Sequence, residues 1–209
     1  MGWIALLGVY HGINPGMGWL FAVALGLQQR TARGVWRALP PIALGHAAAV
    51  GVVLLVAGLA QVAIPLETLQ VVVGVALVTL GGYRLWRHRH PRFGGMQVGF
   101  RDLTIWSFLM ASAHGAGFMV LPFVLGMSSG TTAAASAHAQ HATAAGSLGP
   151  WTSGIALAIH TGTYLAVAGL MAWVVYRWLG LAVLRTAWFN LDWLWAAALV
   201  ITGAVVLLA

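Results

Sequence analysis

Residues 40–61 read PPIALGHAAAVGVVLLVAGLAQ, an apolar run without a charged side chain. Since a helix rises about 1.5 Å per residue, roughly 20 such residues cross the about 30 Å of hydrocarbon in a bilayer. Similar runs recur along the chain. We therefore predict six transmembrane helices, at residues 2–27, 40–61, 66–87, 103–127, 151–177 and 187–208. The first run lacks a basic n-region, so we interpret it as a retained helix rather than a signal peptide.

Composition excludes a water-soluble globule. Hydrophobic residues make up 61% of the chain and charged residues 6%, whereas a soluble domain must cover its surface with polar groups. We expect an all-α integral membrane protein without a substantial soluble domain. The chain has no cysteine, which excludes disulfides, thiolate metal sites and dithiol redox chemistry.

The positive charges indicate a topology. The net charge is +7, and all ten basic residues are arginines that fall between alternate pairs of predicted spans: Arg30, Arg33, Arg37, Arg84, Arg87, Arg89, Arg92, Arg101, Arg177 and Arg185. The positive-inside rule then predicts that these loops are cytoplasmic and that both termini lie outside, in a multi-pass protein of a bacterial-type plasma (inner) membrane. We interpret the arginines as contacts to anionic lipid headgroups, not to nucleic acid.

Most tryptophans lie near the ends of predicted spans, where an indole keeps its N–H in water and its ring in lipid. We interpret them as interface belts, and they include Trp3, Trp36, Trp86, Trp106, Trp151, Trp178 and Trp188.

The two halves of the chain look alike. A His-Gly pair followed by proline recurs in spans one and four, at His11 and His114, and a histidine recurs in spans two and five, at His46 and His160. We predict a 3+3 inverted-topology repeat: residues 1–89, a cytoplasmic Arg/His-rich linker at 90–102, and residues 103–209, which include a flexible outside loop at 128–150. Inverted repeats are typical of transporters. The Asn14-Pro15-Gly16 cluster predicts a functional break in span one.

Four histidines fall inside predicted spans, and their depths place them near the middle of the membrane. Ionisable residues there usually mark a pathway, a proton relay or a ligand site. Neutral imidazole suits Ni, Co, Zn and Cu(II), so we predict that His11, His46, His114 and His160 bind a divalent transition metal, as substrate or ligand rather than as a tightly bound cofactor. Packing between helices is the alternative role. Residues predicted to support the site are Tyr10, Asn14, Pro15, Met17, Gly115, Met119, Thr161 and Thr163, and His138 and His141 are candidates for gathering metal outside.

The three acids, Glu67, Asp102 and Asp192, lie near predicted helix N-termini. A carboxylate there is stabilised by free N–H groups and the helix dipole. We therefore assign them to capping first and to ion handling second.

The His11-Gly-Ile-Asn-Pro-Gly element and Gly45-His46 resemble the nickel and cobalt exporters of the lysine-exporter superfamily. That resemblance implies a small efflux carrier of about six spans with a central metal or small-solute site. Two features differ from the family pattern. Met17-Gly18 replaces a histidine that often follows Pro-Gly, and the histidine-containing loop at 128–150 lies outside in the predicted topology.

Two other functions stay open on the sequence. One is a membrane oxidoreductase in which the histidines are axial haem ligands, and the other is a non-catalytic subunit of a larger membrane complex. We do not expect an enzyme. The expected partners are the lipid bilayer and a metal ion, together with a second copy or a membrane-complex partner, and no nucleic acid.

Overall fold

The computed structural model describes residues 2–86, 99–124, 150–179 and 188–208. These residues form helices and no strand. In chain order they are α1 (Gly2–Ile13), a 3₁₀ turn (Pro15–Met17), α2 (Trp19–Gln29), α3 (Ala32–Ala63), α4 (Leu66–Trp86), α5 (Phe100–Ala113), α6 (Ala116–Val124), α7 (Pro150–Val174) with a short π-helix (Val175–Leu179), and α8 (Trp188–Leu208). Residues 90–98 of the predicted linker at 90–102 and residues 128–149 of the predicted loop at 128–150, with His138 and His141, lie outside the described residues.

Three described helices are long and apolar enough to cross a membrane, namely α3, α4 and α7. A fourth span results if α5 and α6, which are bent by 61°, are counted as one. Helices α1 and α2 and the Ala196–Leu208 part of α8 are shorter apolar helices. The all-helical, membrane-embedded class predicted from the sequence is therefore confirmed.

The main helix contacts pair the first half of the chain with the second. Helix α1 packs along α7, α3 packs along α5, and α4 packs along α8. Two of these contacts need glycine. A Cβ on Gly8 would lie 2.6 Å from the His160 carbonyl oxygen, and one on Gly45 would collide with the Thr104 carbonyl oxygen. The absent side chains let the backbones approach closely, as is common between membrane helices.

One predicted boundary is wrong. Helix α3 begins at Ala32 rather than at residue 40, and it contains Pro40 and Pro41. The predicted span covers only the uncharged apolar run, whereas the helix also includes Arg33 and Arg37 before that run. Span one consists of two helices, since α1 ends at Ile13 and α2 runs from Trp19 to Gln29.

Two of the three acids lie in the first turn of a helix. Glu67 and Asp102 are exposed in the first turns of α4 and α5. The Gly99 N–H donates to Asp102 Oδ2 at 3.1 Å, which confirms the capping prediction for that residue. Asp192 is the fifth residue of α8, just past its first turn, so its assignment to capping stays a prediction.

Candidate ion site at two helix breaks

The first break separates α1 from α2 and comprises residues 14–18. Asn14 has an extended backbone, and its side-chain Oδ1 accepts the Gly16 N–H at 2.8 Å. Gly18 has φ 121°, a conformation that L side chains rarely adopt. The break predicted at Asn14-Pro15-Gly16 is confirmed.

The second break lies between α5 and α6 at His114 and Gly115. Gly115 has φ 71°, in the left-handed region that favours glycine. The His114 N–H still donates to Met110 O at 2.9 Å, and the Gly115 N–H donates to Ser112 O at 3.0 Å. Pro122 lies inside α6 and does not form the break.

Three imidazoles meet beside the first break, and we call His11, His46 and His160 the histidine triad. All three are fully buried. The ring centroid of His11 lies 5.4 Å from that of His46 and 4.9 Å from that of His160, and the centroids of His46 and His160 are 5.4 Å apart. The Nε2 atoms of His46 and His160 are 3.2 Å apart. Helices α1, α3 and α7 thus each contribute one imidazole to a common cluster.

Backbone carbonyls orient two of these rings, those of His11 and His160, through Nδ1. His11 Nδ1 lies 2.7 Å from Leu7 O, and His160 Nδ1 lies 3.3 Å from Ile4 O. A carbonyl oxygen only accepts, so each Nδ1 carries a proton and each neutral ring has its lone pair on Nε2. His46 Nε2–H can then donate to His160 Nε2. Within the described part of the chain, His46 Nδ1 is buried without a hydrogen-bond partner.

His114 lies at the junction of the two breaks. Its Nδ1 is 2.7 Å from Met110 O, so its lone pair is also on Nε2 by the same argument. A Cβ built on Gly16 would lie 3.5 Å from His114 Nε2 and 3.2 Å from Asn14 Oδ1. The absence of a side chain at residue 16 therefore leaves this imidazole nitrogen and this amide oxygen facing the same space.

Two buried polar residues that the sequence analysis did not single out connect the cluster to its helices. The Tyr164 hydroxyl donates to Met17 O at 2.6 Å, and the Tyr164 ring stacks on His46 with centroids 4.0 Å apart. Ser107 Oγ donates to Ile42 O at 2.6 Å, one turn before His46. Helical spacing indicates only that Tyr164, four residues after His160, shares its face; it does not indicate the contacts with Met17 and Ile42.

The predicted supporting residues take different positions. Tyr10 packs edge to face with His11, with ring centroids 6.1 Å apart, and Thr161 has a buried hydroxyl without a partner among the described residues. The Thr163 hydroxyl donates to Ile159 O within its own helix. The rest lie at the breaks or in the core: Asn14, Pro15, Met17, Gly115 and Met119.

The four histidines do not form a ready metal centre. Across residues 2–86, 99–124, 150–179 and 188–208, no group of three or more His, Asp or Glu could hold a metal ion as it stands. In the triad the His11 ring meets those of His46 and His160 edge to face, at 70° and 81°, while the His46 and His160 rings are within 21° of parallel and their Nε2 atoms are 3.2 Å apart. The role of these residues as metal ligands stays a prediction.

Comparison with known proteins gives no matching family model, no matching curated protein and no matching solved structure.

Proposed function

We propose that this chain is a membrane transporter that moves a divalent transition-metal cation, of the Ni, Co, Zn or Cu class, through the imidazoles at the two helix breaks. The histidine triad carries the proposal, because its three rings are fully buried and in contact. Buried ionisable groups in membrane segments are costly and usually belong to a pathway or a ligand site.

The hydrogen bonds of His160 are compatible with both roles, metal binding and helix packing. Its Nδ1 donates to Ile4 O on α1, as a histidine that packs helices would, and its Nε2 faces Nε2 of His46. An Nδ1–H bond to a carbonyl is also the usual arrangement for a metal-binding histidine, because it fixes the tautomer and the ring orientation.

The distance between the two Nε2 atoms suits an ion that replaces the shared proton. Two imidazole nitrogens bound to one tetrahedral Zn²⁺, at about 2.0–2.1 Å each, are about 3.3 Å apart. His46 and His160 hold theirs at 3.2 Å. Binding would require the His11 ring to turn until its Nε2 reaches the same point. Because protons compete for these nitrogens, proton uptake would release the ion, which allows transport to be coupled to protons.

The proposal includes six spans arranged as a 3+3 inverted repeat. The broken α1 and α2 would form one span, and α8 would form the sixth. The helix pairing supports this arrangement, since first helices contact second helices of the opposite half and third helices contact each other. His11 and His114 also share the same Nδ1 bond to the carbonyl four residues earlier, at 2.7 Å in both. The positive-inside rule, applied to the arginines, would place the arginine-rich loops on the cytoplasmic side of an inner membrane.

The triad offers less support to the haem alternative. Two axial imidazoles of one haem lie on opposite faces of the porphyrin. His46 and His160 instead touch through Nε2, and their ring centroids are only 5.4 Å apart. This spacing leaves no gap for a porphyrin between them.

The test is metal content and transport by the whole chain. We would purify the wild type, His160→Ala and His88→Ala in detergent, measure bound Ni, Co, Zn and Cu by mass spectrometry, and measure their flux in proteoliposomes. His88 is the matched control because the sequence assigns it to an arginine-rich loop. We expect a stoichiometric ion in the wild type and in His88→Ala, and a loss of affinity of at least about tenfold in His160→Ala.

A wild type without metal or flux would refute the proposal. If such a protein also co-purified with a stoichiometric membrane partner, it would favour the accessory-subunit function. Circular dichroism of each variant establishes that a loss of metal does not reflect a loss of fold.

A further inference from the structure

A groove of about 640 Å³ opens between α3 and α7 on the outer surface of the helix assembly. This volume lies within the about 300–1,000 Å³ of small-molecule sites. Both helices are long and apolar enough to cross a membrane, so the groove faces lipid in a membrane-embedded protein. Its lining is apolar and includes two glycines: Trp36, Leu39, Pro40, Gly162, Leu165, Ala166, Gly169, Leu170 and Trp173.

Two exposed arginines lie about one helical turn beyond one end of the groove. Trp36 and Trp173 line that end and are 51% and 40% exposed. Arg33 precedes Trp36 by three residues, and Arg177 follows Trp173 by four, in the short π-helix. Residues three or four apart are neighbours on a helix surface, so both arginines continue the two helices from this end of the groove. Tryptophan is enriched at the interface of a bilayer.

A second groove between the same helices has no such charges. It measures about 400 Å³ and lies toward the opposite ends of α3 and α7, where Gly51, Leu55, Ser153 and Gly154 are among its lining residues. No Lys or Arg occurs in residues 47–63 or 150–158. Both grooves therefore have an apolar lining, but only the first has arginines next to it.

We propose that the first groove is a binding site for an anionic diacyl phospholipid. An acyl chain would lie along the apolar lining, and the headgroup phosphate would bind Arg33 and Arg177. Basic residues beside a cleft between membrane helices are a recurring way to bind anionic headgroups, and the guanidinium group matches phosphate oxygens with paired N–H donors. This site is independent of the proposed transport function.

Gly162 offers a way to fill the groove without disturbing the protein. A Cβ at residue 162 would meet no atom within 4 Å, and the same holds at Gly154 in the second groove. Gly162→Leu should therefore occupy the lipid position while leaving the α3 and α7 contact intact. Gly154→Leu makes the same change on the same helix and is the matched control.

The experiment is native mass spectrometry of the full chain in detergent, titrated with phosphatidylglycerol or with phosphatidylcholine of the same acyl chains. We expect the wild type to retain phosphatidylglycerol preferentially. Gly162→Leu should lower this retention at least fivefold, and Gly154→Leu should leave it unchanged. Arg33→Gln and Arg177→Gln should each reduce the preference for phosphatidylglycerol about fivefold, since one basic residue near the surface contributes about 1 kcal/mol. Arg101→Gln is the control for charge.

Equal retention of the two lipids by the wild type would overturn the proposal, as would an equal loss in the two leucine variants. A wild-type dimer that Gly162→Leu dissociates, without any change in bound lipid, would instead identify a second copy of the chain as the occupant. Should Gly162→Leu fail to elute as folded protein, the arginine variants decide the matter, because Arg33 and Arg177 are exposed and their replacement removes no buried contact.

Discussion

The two helix breaks, one in each half of the chain, are held by different groups. The first break spans five residues and uses side chains: Asn14 binds the Gly16 N–H, Trp19 Nε1 donates to Ile13 O at 3.1 Å, and Tyr164 donates to Met17 O. The second break involves only His114 and Gly115. The hydrogen bonds described there are mainly between backbone N–H and carbonyl groups.

Glycine with a positive φ is common to both breaks, at Gly18 and Gly115. Both breaks therefore depend on a glycine, but the groups that hold the backbone in place differ between them. A break fixed by side chains from α2 and α7 can respond when those helices move, whereas a break fixed by its own backbone depends less on its neighbours. This difference indicates that the first break is the adjustable part of the candidate site.

The largest expected effect comes from replacing Gly18, and Gly115 in the second break gives the comparison. Gly18→Ala should lower the free energy of unfolding by about 3 kcal/mol or more, because φ 121° is unfavourable for alanine and the new Cβ would lie 2.6 Å from Ile42 Cγ2. Gly115→Ala should cost about 1–2 kcal/mol, since φ 71° is a left-handed conformation that alanine can adopt at that cost and the nearest atom, Leu80 Cδ2, ends a side chain. Unfolding by SDS in mixed micelles measures the free energy of unfolding of both variants. A larger loss for Gly115→Ala than for Gly18→Ala would contradict the difference between the two breaks.

Tyr164→Phe should have the next largest effect. The change leaves Met17 O buried without its donor, which costs about 1–3 kcal/mol, while the ring that stacks on His46 is retained. Tyr83→Phe is the control, because Tyr83 is 53% exposed and a surface change usually alters stability by less than about 0.5 kcal/mol. The same SDS titration applies. If the two variants were equally stable, the Tyr164 hydroxyl would not hold the first break.

Asn14→Ala should have the smallest effect of the three. It removes the acceptor for the Gly16 N–H, and loss of such a capping side chain costs about 1 kcal/mol. Asn14→Ser retains a capping oxygen, so we expect its loss of stability to be less than half that of Asn14→Ala. Thermal unfolding monitored by circular dichroism measures the difference. Equal losses in both variants would mean that the side chain acts through packing and not as a cap.

The first break and the buried histidines could be predicted from local sequence. Asn14, Pro15 and Gly16 together combine a capping side chain, a residue without an N–H and a glycine, whereas Pro40 and Pro41 lie inside α3 without such neighbours. An imidazole in an apolar run is conspicuous because few polar residues occur there. The repeat of His-Gly in spans one and four led to the expectation that all four histidines cluster. The structure brings His11, His46 and His160 into ring contact and puts His114 beside Gly16.

Other features depend on partners distant in the chain. Tyr164 became notable only through its bond to Met17, 147 residues earlier. Ser107 likewise binds Ile42 on another helix. A sequence pattern identifies the face on which such a residue lies but not the helix that the face will contact, so neither residue could be assigned to the site in advance.

The sequence alone determined that this chain is helical and embedded in a membrane, because an apolar surface of this extent is stable only in lipid. Its prolines and glycines also determined where the first helix breaks. Only the tertiary structure decided which histidines meet, which nitrogens face one another and which arginines stand beside an apolar groove. These outcomes depend on close approaches such as that of Gly8 to the His160 backbone, where a single additional carbon atom would separate the helices.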